Sequence, residues 1–197
     1  MSKAEKTKAF IIEKSSPIFN TKGYAGTSLN DITKATGLTK GSIYGNFDDK
    51  DAIAQAVYNY QVTGLSKRFT ALTDQHEMAI DKLSAFLSYY RNNWKQTFER
   101  GGCPILNASI EADDNLPFLK KSVQSSITVW VKYIANMIEL GKKQNQFKKN
   151  IDTMEYANTI VIVIEGGIMM GKIYNDHSLL FTALDRVKRI INEELKK

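Results

Sequence analysis

Apolar residues in this chain recur three and four apart almost from end to end, and only three prolines, Pro17, Pro104 and Pro117, interrupt the pattern. That spacing stacks side chains on one face of an α-helix. The chain is therefore confined to an all-α fold of about nine helices. The first is predicted over Ala4–Asn20, with Ile11, Ile18 and Phe19 turned inward and Pro17 kinking or loosening its last turns. Gly23 ends it. A short helix from Ser28 closes at Gly37, a third spans Lys40–Phe47 behind a Thr39 cap, and Asp48 caps a fourth that reaches Ala71. Longer helices are expected over 77–99 and 117–144, with a short one over 106–112. A helix from 153 to about 174 is capped by Asp152 with Glu155. The last, 178–195, carries Leu180, Leu184, Val187, Ile191 and Leu195 on one stripe. The run Thr159–Ile164 is β-branched and would suit a strand. It has no partner run to complete its backbone hydrogen bonds, so a buried helix is expected there instead.

With 43% hydrophobic residues in 197, the chain can bury a core, and its net charge of +6 suits a polyanionic partner. Charge alone is a weak guide, because residues 1–60 hold eight lysines against six acids. The one cysteine, Cys103, permits no internal disulfide and suits a reducing compartment. The N-terminus has no apolar signal segment, and the unbroken apolar run near Ile160–Ile164 is too short to span a bilayer. The expected location is the cytoplasm, with no membrane partner. His76, His177 and Cys103 lack metal-ligand spacing, so neither a metal nor a cofactor is expected. No Ser-His-Asp set, glycine-rich phosphate loop or carboxylate pair with a base is found, so no catalytic residues are assigned and the protein is read as no enzyme.

The informative segment is 27–50. Two short helices meet at a tight turn, Gly37, Leu38 and Thr39, where glycine supplies a positive φ. Ile32, Leu38 and Ile43 form an apolar seam that fixes the helices at a steep angle. This is the geometry of a helix-turn-helix, whose second helix enters the DNA major groove. From Thr39 to Phe47 no residue is acidic. Thr39, Lys40, Ser42, Tyr44 and Asn46 offer donors, and Gly41 allows close backbone approach. The helix starts at Ser28 and Thr39 present free N–H groups to phosphates, and Lys50 can hold a neighbouring one.

The string Gly23, Tyr24, Ala25, Gly26, Thr27, Ser28, Leu29, Asn30, Asp31 and Ile32, followed by Thr36–Tyr44, Phe47 and Lys50, resembles the N-terminal domain of the TetR/AcrR family of repressors. The resemblance covers about 45 residues. It implies a helix-turn-helix DNA-binding domain over 1–50 and a helical ligand-binding and dimerisation domain over 51–197. It further implies a homodimeric repressor released from a palindromic double-stranded operator by a small-molecule inducer, with activation as the alternative outcome. By position it assigns Thr27, Ser28, Tyr44 and Lys50 to phosphates, and Lys40, Gly41, Ser42 and Asn46 to the groove. Asn46 stands where the family usually has His or Tyr, and Gly45 lies inside the reading helix, which leaves the operator sequence open.

The body is rich in aromatics and methionines. Tyr90, Trp94, Phe98, Cys103, Trp130, Tyr133, Glu165 and Met169 are candidate lining for an apolar ligand cavity. Glu165 follows five apolar residues, so its carboxylate needs a partner, a pocket or the dimer axis. The stretch Gly101 to Asp113, around Cys103, is similar to the branch of the family formed by repressors of N-ethylmaleimide reductase. That likeness implies electrophile or redox sensing through Cys103 and Lys172 as an alternative trigger. The helices within 153–195 are the expected dimer interface, through an isologous four-helix bundle.

Overall fold

The computed structural model describes residues 2–197. The described helices are α1 (Lys3–Lys22), α2 (Leu29–Thr36), α3 (Lys40–Tyr44), α4 (Lys50–Thr73), α5 (Ala79–Asn92), α6 (Trp94–Glu99), α7 (Pro104–Asp114), α8 (Pro117–Lys143), α9 (Thr153–Ile173) and α10 (His177–Arg189), closed by a π-helical segment, Ile190–Leu195. No β-strand occurs among the described residues. The chain packs into two compact units, one of Met1–Leu65 with Pro104–Ser125 and the other of Ser66–Cys103 with Ser126–Lys197. These packing units do not coincide with the functional division at residue 50 expected from the motif.

The first unit buries one apolar cluster, including Ile11, Phe19, Tyr24, Ile32, Ile43, Phe47, Ile53, Val57 and Tyr58, completed by Ala108 and Ala112 of α7 and by Leu119 and Val123 of α8. α1 starts in a capping box between Ser2 and Glu5 and runs through Pro17 to Lys22. The expected loosening of its last turns is absent: buried Phe19 and Asn20 anchor the turn beyond the proline. Ile18 is only half-buried. α4 is capped by Asp49, not Asp48, through a 2.7 Å bond from the Ala52 N–H.

In the second unit the predicted helix over 77–99 is broken at Asn93, whose amide folds back to donate to the Tyr89 carbonyl. The polar turn after α8 caps α5. Gln144 accepts from the Ala79 N–H, and Gln146 accepts from the Ile80 N–H. α9 begins as expected, with Asp152 accepting from the N–H groups of Met154 and Glu155. α9 and α10 meet closely at Gly167, where a Cβ would lie 2.5 Å from that of Ala183. The tail is tied to the α8–α9 turn by an antiparallel bridge between Phe147 and Lys196.

The stripe Leu180, Leu184, Val187, Ile191 and Leu195 is at most 3% exposed, so it is satisfied within the chain. Of the two helices expected at the dimer interface, α10 therefore keeps this stripe inside the chain. α9 does leave such a face, with Ile162 69% and Ile173 78% exposed, beside Met169 and Met170. α9 is also long and apolar enough to cross a membrane by length and composition, with a mean hydropathy of 1.2. A core helix of a globular protein passes the same test, and α9 carries Glu155, Glu165 and Lys172.

Candidate nucleic-acid interface

The two motif helices take their shape from local chemistry. Ser28 caps α2 and accepts from the Asp31 N–H, while the Asp31 carboxylate returns to the Ser28 N–H and hydroxyl. The Lys22 ammonium and the Ser28 hydroxyl hold the Asp31 carboxyl well below the usual carboxylate range. Gly37 ends α2 in the left-handed region at φ 70°, its N–H donating to the Thr33 carbonyl. Thr39 then caps α3 by accepting from the Ser42 N–H.

Ile32 and Ile43 have no exposed surface, and Leu38 packs partly buried beside them. Each buried isoleucine contributes about 2 kcal/mol, which fixes α3 against α2 along the predicted seam. The opposite face of α3 is open. Thr39, Lys40, Gly41 and Gly45 are exposed, and Tyr44 is 48% exposed. Ser42 and Asn46 are half-buried, and the Asn46 amide donates to the Ser42 carbonyl.

Two residues assigned to phosphates face elsewhere. Thr27 has no exposed surface, and its hydroxyl donates to the Gly23 carbonyl at 2.7 Å. A direct phosphate contact by Thr27 is corrected to a turn-locking role, because a fully covered side chain cannot reach a ligand. The Lys50 ammonium points at the carbonyls of Tyr24, Ala25 and Thr27, at 3.2–3.4 Å. It holds the turn before α2 from behind.

That turn also has a holder the motif did not reveal. Both oxygens of Glu111, on α7, accept from backbone: Tyr24 N–H at 2.8 Å and Ala25 N–H at 2.6 Å. Asn107, one helical turn earlier, donates to the Asn20 carbonyl and to its side-chain oxygen. The sequence signal available was polar Asn107 and Glu111 four apart on a short helix whose Ile105, Ala108 and Ala112 are buried.

In the second unit the candidate ligand residues separate into groups. Tyr90 and Cys103 are 3% and 4% exposed, and negative charge on Cys103 or Glu165 would push the Tyr90 hydroxyl further up. Both Glu165 oxygens are sealed from solvent without a nitrogen or oxygen partner. Burial lifts its carboxyl to about 7, and the Cys103 thiol pulls weakly the other way. Tyr90 is itself pushed well up by burial, and its ring belongs to a cluster with Phe69, Phe86 and Tyr89. Trp130 is buried, with its indole N–H also sealed and unbonded. Tyr133 instead bonds Thr73 through its hydroxyl.

Trp94 and Phe98 are committed to packing. Trp94 stacks on His177 with 4.5 Å between centroids, and Phe98 lies over Gly171. Met169 is 52% exposed on α9. The Lys172 stem lies against Gly102, next in sequence to Cys103.

An exposed, donor-bearing short helix locked by a buried seam, on an all-helical chain with a second helical unit, defines a helix-turn-helix DNA-binding regulator. Residues 11–57 match the family described as bacterial regulatory proteins, tetR family, and residues 79–189 match the tetracyclin repressor-like C-terminal domain. The chain belongs to the TetR family. It is similar in structure to a TetR-family transcriptional regulator from Cytophaga hutchinsonii, with 34% identity, a TM-score of 0.94, and coverage of 100% of this chain and 98% of that one. In sequence it is similar to the HTH-type transcriptional repressor DhaR of Mycobacterium sp. (strain GP1), 23% identical over 94% of this chain and 90% of that one. It is also similar to the HTH-type transcriptional repressor NemR of Escherichia coli (strain K12), 22% identical over 86% of each.

Proposed function

We propose that the protein is a cytoplasmic homodimeric repressor that leaves a palindromic operator when a small molecule binds its body. It acts by binding and not by catalysis. DNA reading resides within residues 1–50, and sensing and dimerisation within 51–197. Lys40, Gly41, Ser42 and Asn46 read base edges, while Ser28, Thr39 and Tyr44 meet phosphates. The observation that carries this reading is the open face of α3, where Lys40 and half-exposed Tyr44 stand above an isoleucine with no exposed surface. Two copies joined through the outer face of α9 present two such helices to successive major grooves, about 34 Å apart. An inducer in the second unit, near Tyr90, Trp130 and Glu165, favours a body shape with another spacing and releases DNA by population shift.

The test is selection of bound duplexes from a random pool, followed by Tyr44→Ala and Lys40→Ala. A palindromic site is expected. Tyr44→Ala should weaken it about tenfold or more at an unchanged salt slope, because a neutral hydroxyl releases no counterion. Binding without sequence preference, or unchanged affinity in both variants, would overturn the reading.

A second trigger is favoured by one observation: the Lys172 stem lies on Gly102, next in sequence to buried Cys103. Here Cys103 and Lys172 sense electrophiles, with Glu165 as a proton acceptor for the thiol. Cys103→Ser should then keep operator binding and lose its release by electrophiles. Unaltered release in that variant removes the sensor reading.

A further inference from the structure

The turn between α1 and α2, Gly23–Thr27, is held through its peptide groups from two sides. Glu111 places one carboxylate oxygen on the Tyr24 N–H and the other on the Ala25 N–H, at 2.8 and 2.6 Å. The Lys50 ammonium faces the carbonyls of the same two residues, at 3.4 and 3.3 Å, and that of Thr27 at 3.2 Å. Tyr24 and Ala25 thus have a full negative charge at the N–H end and a full positive charge at the carbonyl end. Charge-assisted hydrogen bonds are about twice as strong as neutral ones. Thr27 closes the remaining gap by donating to the Gly23 carbonyl. Gly23, at φ 86°, sits where a side chain is strained, and a Cβ would push on a Glu111 oxygen 2.8 Å away.

The DNA-facing machinery begins directly after this turn: Ser28 caps α2, and α2 carries the seam on which α3 rests. The Glu111 carboxylate spends both its oxygens on the turn and none on α3. It is also an acid in the unit that binds a polyanion, so simple electrostatics would have its removal strengthen DNA binding.

We infer that Glu111 is a positioning residue for operator recognition, fixing the α1–α2 turn and through it the set of the helix-turn-helix. This inference rests on the reading that α3 enters the groove. Paired bidentate acceptance by α7, whose Ala108 and Ala112 are buried in the same core, makes α7 part of the DNA-binding apparatus despite its distance in sequence.

The experiment compares the full-length protein with Glu111→Gln, which keeps the side-chain shape but loses the charge and one acceptor, and with Glu111→Asp, which keeps the charge and shortens the reach. Affinity for the selected operator and for a random duplex is measured across salt concentrations, alongside amide exchange at Tyr24 and Ala25. Glu111→Gln should weaken operator binding about tenfold. Random-duplex affinity and the salt slope should hold at the parent level, since no phosphate contact is removed. The Tyr24 and Ala25 amides should exchange faster, and Glu111→Asp should recover part of the affinity. Equal or tighter operator binding by Glu111→Gln, or an equal loss on random DNA, overturns the inference. Should Glu111→Gln unfold, Glu111→Asp decides: operator affinity equal to the parent with faster Tyr24 and Ala25 exchange refutes positioning, and weaker operator binding at parent salt slope supports it. Failure of the parent itself to select a site would instead refute DNA reading by α3.

Discussion

Replacing Glu165 by Gln removes a buried ionisable group, and its effect should depend on pH in a direction fixed by the structure. The folded carboxyl titrates at about 7 against an ordinary 4.5, because burial penalises its charge. Below pH 4.5 it is protonated in both states and folding carries no penalty. As pH rises from 4.5 to 7 the unfolded chain releases its proton while the folded chain keeps it, so stability falls; above 7 the whole penalty is in force. The span between those values, at about 1.4 kcal/mol per unit, amounts to about 3 kcal/mol. Glutamine never ionises, so Glu165→Gln should gain on the parent by about 2 kcal/mol between about pH 5 and about pH 8. Urea unfolding at fixed protein concentration, at about pH 5, 6, 7 and 8, measures the gap. Parallel pH profiles for parent and variant would show that Glu165 is not held in a charge-hostile setting and would refute the argument.

Gly37→Ala meets no atom within 4 Å and costs only its backbone strain at φ 70°, about 1 kcal/mol, seen as a melting point lower by about 2–4 °C. Gly167→Val cannot be placed without displacing Ala183, 2.5 Å from the first added carbon; about 3 kcal/mol of destabilisation by overpacking is expected in urea unfolding. Ile162→Asp with Ile173→Asp, on the exposed face of α9, should turn a dimer into a monomer in sedimentation, with operator affinity lost and helix content kept.

The parts of the fold legible in the sequence are those written in neighbouring residues. The Ser28–Asp31 capping box, the positive φ at Gly37 and the Thr39 cap lie within a dozen residues, and each has a local physical reason. Two nearly equal local choices are not separated in this way: Asp48 and Asp49 can both cap, and only the position of Ala52 decides for Asp49. The break at Asn93 turns on one amide folding back on its own helix, for which no glycine or proline gives warning. Site residues divide along the same line. The exposure of Lys40 and Tyr44 follows from helical period, whereas the burial of Thr27 and the inward turn of Lys50 depend on carbonyls brought near by folding. Glu111 meets its partners across 86 and 87 residues of chain. Trp94 and Phe98 read as cavity lining by type, but His177 at the start of α10 and Gly171 in the last turn of α9 pack against them.

The membership of α7 in the first unit bears on how such regulators can be recombined. A chimera that joins the first 65 residues of this chain to the body of a relative would leave Ala108, Ala112, Leu119 and Val123 behind, exposing the surfaces they cover and stranding the Tyr24 and Ala25 amides. A graft that carries residues 104–125 along with the head keeps its own floor. The unit of exchange between relatives is thus a discontinuous one, and a crossover in the linear gene does not respect it.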